Sequence, residues 1–132
     1  MEMVTSPKAP PTVGPYAHAV RSGRLLFCSG QIPLDPAAMQ LVGATAAGQA
    51  EQVFANLRAV LGAAGLGLAH VVKATVFLAD IAEFNAVNAV YAAAFAGHTP
   101  ARSTVQVAAL PLGARIEIEV VAEFPEGAGT DA

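Results

Sequence analysis

The segment RIEIEVVAEF, residues 115–124, alternates apolar and polar side chains with a period of two. Successive side chains on a strand point to opposite faces. Ile116, Ile118, Val120 and Phe124 therefore share one face, and Arg115, Glu117, Glu119 and Glu123 share the other. A strand of this kind wants apolar cover on one side only, and whatever fold the chain adopts must supply a one-sided layer.

Two segments supply that layer. Between Thr45 and about Ala64, the residues Val53, Phe54, Leu57, Val60 and Leu61 recur at helical spacing and form one stripe. Thr45 can cap this helix and Gly65 can end it. A second helix is predicted from Ile81 to about Phe95, opened by Asp80-Ile-Ala-Glu83, which has the form of a capping box with aspartate as the cap. The rest reads as strands and turns. AHAVRSGRLLFCSG predicts a hairpin turning at Ser22-Gly23. QIPLDPAAMQLVG predicts a loop with a short strand, HVVKATVFLAD a buried strand, and RSTVQVAAL a further strand followed by a turn at PLGA. The order strand, strand, helix, strand, helix, strand, strand predicts an α+β domain: a mixed sheet with two helices on one face. One domain is expected over residues 1–132. Pro7, Pro10, Pro11 and Pro15 make the start an extended or turning arm, and residues 1–6 and 125–132 are expected to be flexible.

The uncovered sheet face must also be accounted for. Charged residues make up 13% of the 132 residues and hydrophobic ones 55%, against about 25% charged in ordinary soluble domains. Alanine richness explains part of this. Packing of sheet against sheet in a homo-oligomer explains the rest. The net charge of −3, without any basic run, argues against a nucleic-acid partner. The longest apolar runs are broken by Lys73, Asp80 and Glu83, so no membrane span is expected, and the first residues do not have the form of a signal peptide. With one cysteine, Cys28, no intramolecular disulfide forms, and a cytoplasmic location is the simple expectation. Cys28 itself, inside LLFCSG, reads as a small buried hydrophobe.

Several polar residues stand where apolar ones are expected. Asn88 lies on the helical stripe of Phe84, Tyr91 and Phe95, where an unpartnered amide costs about 1–3 kcal/mol. It either ties its helix to a loop or borders a site. Arg102 heads a β-branched strand in a chain with only seven lysines and arginines. It either pairs with Glu117 or holds a ligand carboxylate in a bidentate fork. Glu119 and Glu123 read as a solvated face, whereas Glu117 on a subunit interface would need a partner, with Arg102 or Arg115 as the candidates. Tyr16 follows the rigid turn of GPY and reads on its own as a packed aromatic. Ser29 has no histidine or aspartate beside it in a known triad arrangement. His18, His70 and His98 are isolated, no metal-ligand spacing occurs, and no phosphate-binding or nucleophile-elbow motif is present.

Five segments then stand in order and at particular intervals: VGPYAHAV, FCSGQIPLDP, FNAVNAVY, PARSTVQVAALP and RIEIEVVAE. Together they resemble the RidA (YjgF) family of reactive intermediate/imine deaminases, also labelled endoribonuclease L-PSP, over about Ser6 to Phe124. The resemblance implies a chorismate-mutase-like α+β fold, a homotrimer with clefts between subunits, and hydrolysis of small anionic enamine or imine acids to 2-keto acids and ammonia. It implies no metal and no organic cofactor. By position, Arg102 corresponds to the arginine that binds the substrate carboxylate, and Glu117 to the glutamate that activates or positions water. Tyr16 corresponds to the cleft tyrosine, Ser29 and Gly30 to the SGQ segment lining the cleft, and Asn88 to the asparagine at its edge. Thr104 stands where many members have cysteine, which excludes thiol chemistry there and leaves the backbone to bond substrate. Three competing readings stay open: ribonuclease activity, a non-enzymatic trimeric small-molecule-binding or chaperone-like role, and a specialised relative that acts on one pathway intermediate.

Overall fold

In the computed structural model, which describes residues 1–127, six strands form one sheet. They are β1 (Glu2–Val4), β2 (Ala19–Ser22), β3 (Leu25–Gln31), β4 (Val71–Leu78), β5 (Ala101–Gln106) and β6 (Ile116–Glu123). The helices are α1 (Ala46–Ala63) and α2 (Phe84–Phe95). The strand order is β1-β2-β3-β6-β4-β5. Only β4 and β5 run parallel, joined through α2, because parallel neighbours need a crossover. The last strand in sequence is inserted between β3 and β4. The mixed sheet with two helices is the α+β architecture expected from the sequence.

Local chemistry explains the elements. The Thr45 side chain accepts from the Gly48 N–H and opens α1. Beyond Ala64, Gly65 takes a left-handed φ of 77°, which a residue without a β-carbon adopts freely. In β6, Ile116, Ile118, Val120 and Ala122 are buried and lie on the face that meets the helices. Val53, Phe54, Leu57, Val60 and Leu61 of α1 are likewise buried, and all belong to one core with the β6 residues. Phe54 meets Tyr91 and Phe95 of α2 edge-on, with ring centroids 5.9 and 5.7 Å apart, and so couples the two helices. Cys28 is buried and its thiol is pushed up to about 12 by desolvation, so it stays protonated and unreactive.

Three expectations need correction. Residues 1–6, whose neighbouring prolines suggest a flexible start, contain β1, which pairs with β2 through Glu2–Arg21, Met3–Val20 and Val4–Ala19. Val4 packs against the core, and this burial outweighs the short length of the strand. Second, β4 is buried on one face only: Ala74, Val76 and Leu78 are covered, while Thr75 and Phe77 are half-exposed. Third, the Asp80 segment is not a reciprocal capping box. Asp80 does cap, accepting from the Ala82 N–H, but a 3-10 turn at Ile81–Glu83 precedes α2. Glu83 turns away and accepts from the Ala46 N–H at 2.9 Å and from Arg115 Nε at 2.8 Å. Burial raises the Glu83 pKa, but these two donors outweigh it and hold the carboxyl below its usual range. Of the expected flexible tail, residues 128–132 lie outside the described residues.

Phe54→Ala removes the ring that joins the helices and is expected to cost about 3–5 kcal/mol. Urea denaturation followed by circular dichroism tests this. A midpoint unchanged from wild type would show that the α1–α2 contact contributes little.

Candidate functional site

The residues singled out in the sequence separate into two groups. The first lines a cavity of about 740 Å³, and includes Tyr16, Ser29, Gly30 and Glu117. The strand register explains why they meet. Gln31 of β3 pairs with Ile118 of β6, and the pairing is irregular between Cys28 and Gln31. Ser29 and Gly30 fall in that irregular stretch, beside Glu117. Glycine there lets the Glu117 carboxylate lie over the backbone. A β-carbon at this position would overlap the Glu117 carboxylate and lie 2.9 Å from its carboxyl carbon. The Ser29 hydroxyl donates to Ala17 O at 2.7 Å, which fixes it as a brace between β3 and the segment carrying Tyr16.

Glu117 is half-buried, and among the described residues no group donates to its carboxylate. Burial raises its pKa, and the neighbouring charge of Glu119, which also lines the cavity, raises it further. Ile32, Leu34, Met39 and Leu112 give the cavity an apolar wall. Leu112 holds a left-handed φ of 57°, a conformation that costs a non-glycine residue about 1–3 kcal/mol.

The second group surrounds Arg102. Arg102 pairs with Ala74 of β4, a residue buried beneath the helices, so its side chain is on the helix side of the sheet. Its Nη1 donates to Asn88 Oδ1 at 2.8 Å. Its guanidinium carbon lies 4.7 Å from the Tyr91 ring centroid and 5.4 Å from that of Phe84. Arg102 is thus the partner that Asn88, on its apolar stripe, demanded. Phe84 and Tyr91, four residues before and three after it on α2, complete a bracket that immobilises the arginine. The hydroxyls of Tyr91 and Thr104 are both buried without a hydrogen-bond partner. Burial raises the Tyr91 pKa, opposed by the charge of Arg102.

No Arg102–Glu117 pair forms. Glu117 lies opposite Phe77 on the half-exposed sheet face, whereas Arg102 is on the helix face. Side-chain alternation places them on opposite sides of the sheet. Arg115 is likewise occupied elsewhere, with Glu83.

Sequence reasoning gave no site role to Phe84 and Tyr91, although their spacing around Asn88 was the available signal. It also passed over His18, which is 3% exposed and lines the cavity. All three histidines are held by backbone groups: His18 by Ser6 and Pro10, His70 by Gly67, and His98 by Val71. Among the described residues no three histidines, cysteines or carboxylates cluster as metal ligands. No helix among them is long and apolar enough to cross a membrane.

Comparison with known proteins places these features in context. The family model described as Endoribonuclease L-PSP matches residues 6–124. Protein DfrA of Myxococcus xanthus is 50% identical, the match covering 90% of this chain and 92% of that protein. The human 2-iminobutanoate/2-iminopropanoate deaminase is 48% identical, with 91% of this chain and 88% of that protein covered. The crystal structure of RidA from an Antarctic Psychrobacter superimposes with a TM-score of 0.90 at 42% identity, covering 94% of this chain and all of the other.

Gly30→Ala is expected to push Glu117 toward solvent and lower its pKa toward the ordinary carboxylate value, as a carbon-13 NMR titration of that carboxyl would report. An unshifted midpoint would refute the packing argument. A carboxyl with a raised folded-state pKa stabilises fully below its unfolded pKa, and that contribution is lost as pH rises through the folded value. Glu117→Gln should therefore gain stability relative to wild type between mildly acidic and neutral pH, as paired thermal melts would show.

Proposed function

The chain belongs to the endoribonuclease L-PSP family, that of the RidA and YjgF proteins, and on this footing we propose that it is a 2-iminobutanoate/2-iminopropanoate deaminase acting in clefts between subunits of a homotrimer. The observation that carries the reading is the division of the two charged groups. Arg102 is preorganised by Asn88, Tyr91 and Phe84, and Glu117 opens into an apolar-walled cavity, yet the sheet keeps them apart. Neither neutralises the other. Each is free to meet an opposite part of a small anionic substrate once the helix side of one subunit meets the cavity of the next.

The roles follow from the chemistry. Arg102 takes the substrate carboxylate, each charged hydrogen bond contributing about 1.5–3 kcal/mol. Its aromatic bracket holds the guanidinium in place before substrate arrives. Asn88 orients it from the α2 side. Glu117 accepts a proton from water as the water oxygen bonds to the imine carbon, and the π electrons of C=N pass to nitrogen, which is protonated. The resulting carbinolamine then loses ammonia as its hydroxyl proton departs and C=O forms. One water is consumed, and one 2-keto acid and one ammonia are released. A carboxyl whose pKa is raised by burial is suited to giving back the proton it has taken. Tyr16, Ser29 and Gly30 shape the wall beside Glu117, and Thr104 presents backbone near Arg102. Because the imine carbon is already electrophilic, positioning and proton management suffice.

The test couples a serine or threonine dehydratase, which generates the enamine in situ, to detection of keto acid in the presence of semicarbazide. Wild type should accelerate keto-acid release, and Arg102→Ala and Glu117→Ala should each abolish the acceleration. Co-assembly of those two inactive variants should restore about one quarter of the sites, since each restored cleft draws its arginine and glutamate from different subunits of a closed ring. Absence of any recovery would place both groups in one chain's site. In wild type, kcat/KM should rise with pH along an acid limb whose midpoint lies above the ordinary glutamate value of about 4.3, because the base must be ionised. Glu117→Gln should lack that limb.

A further inference from the structure

The segment that carries Tyr16 to the cavity is poorly equipped to hold itself in place. Pro7, Pro10, Pro11 and Pro15 have no N–H to donate, and Val13 and Tyr16 are largely exposed. Pro10, Pro11, Val13 and Tyr16 nevertheless form one wall of the Glu117 cavity. Within this arm Ala9 is buried in the core, and His18 meets the arm's backbone at two points. His18 Nδ1 accepts the Ser6 N–H at 3.0 Å, and His18 Nε2 lies 2.7 Å from Pro10 O. A backbone N–H can only donate and a carbonyl can only accept. The ring is therefore neutral, with its proton on Nε2. The histidine is itself anchored to β3, because its carbonyl accepts the Ser29 N–H at 3.0 Å and Ala17 O accepts the Ser29 hydroxyl. The imidazole closes the loop from Ser6 to His18 and ties it to the strand that presents Ser29 and Gly30.

We propose that His18 is a positioning residue: it clamps residues 6–16 as a fixed wall of the cavity and thereby sets the place of Tyr16 relative to Glu117. The catalytic part of this inference rests on the cavity being part of the deaminase cleft. The clamp itself does not. His18 touches no reacting atom; it acts through the arm.

The experiment uses the full chain with two variants. His18→Leu fills the space but can neither donate nor accept, and His18→Gln retains one donor and one acceptor. Amide hydrogen exchange read by mass spectrometry reports the arm, and the coupled assay with 2-iminopropanoate reports the cleft. With both bonds lost, amides within residues 6–16 of His18→Leu should exchange about tenfold faster or more. Those of β4 and β6 should keep wild-type protection. KM should rise about tenfold with kcat close to wild type, and His18→Gln should recover most of both effects. Unchanged arm exchange in His18→Leu would overturn the clamp. Faster arm exchange with unchanged KM would overturn the positioning role, and loss of protection in β4 and β6 as well would make His18 an ordinary core residue. If wild type itself shows no deaminase activity, the functional reading fails while the exchange data still decide the clamp.

Discussion

The structure depends on β6 being a central strand with two unlike faces. It lies between β3 and β4, so both its edges are hydrogen-bonded and neither side of its alternation can be moved without disturbing four neighbours in the order β2-β3-β6-β4-β5. Ile116, Ile118, Val120 and Ala122 are essentially without solvent exposure beneath the helices. A one-residue slip would bury Glu117, Glu119 and Glu123 in that core. The cost of burying three carboxylates fixes the register, and the register fixes where Glu117 emerges.

The rest of the site follows from that placement. Once Glu117 is on the half-exposed face, Gly30 must be glycine for the carboxylate to lie over it, and the carboxyl stays partly desolvated. On the opposite face the same alternation directs Arg102 against α2, where an amide and two aromatic rings receive it. The sheet thus acts as an insulator between a fixed cation and an unpaired anion. An ion pair between them would have satisfied both charges and left nothing for a ligand. Separation keeps both chemically available. The tertiary structure also spends Arg115 and Glu83 on each other, which ties the starts of α1, α2 and β6 and leaves Arg102 as the cation in the aromatic bracket.

Much of this was legible in the sequence because it is governed by local periodicity. The period of two in β6, the helical stripe of α1, the Thr45 cap and the hairpin turn at Gly23 all need only nearby residues to specify them. The misreadings are those in which a distant partner overrides a local preference. Glu83 has a capping-box spacing but finds better donors in Ala46 and Arg115, 37 and 32 residues away. Residues 2–4 look like a loose end until Val4 reaches the core. His18 looks isolated because its partners are backbone groups, which carry no side-chain signature.

By itself, the sequence determined the two helices, the strands β2 to β6, the apolar faces of α1 and β6, and which family motifs the chain carries, since each of these is encoded in short-range spacing. Only the tertiary structure decided that Arg102 and Glu117 point away from each other, that Gly30 exists to admit a carboxylate, and that a histidine ring holds the proline-rich arm. Those outcomes depend on the insertion of the last strand between the third and the fourth. That insertion is set by long-range burial of a one-sided strand, and no local pattern records it.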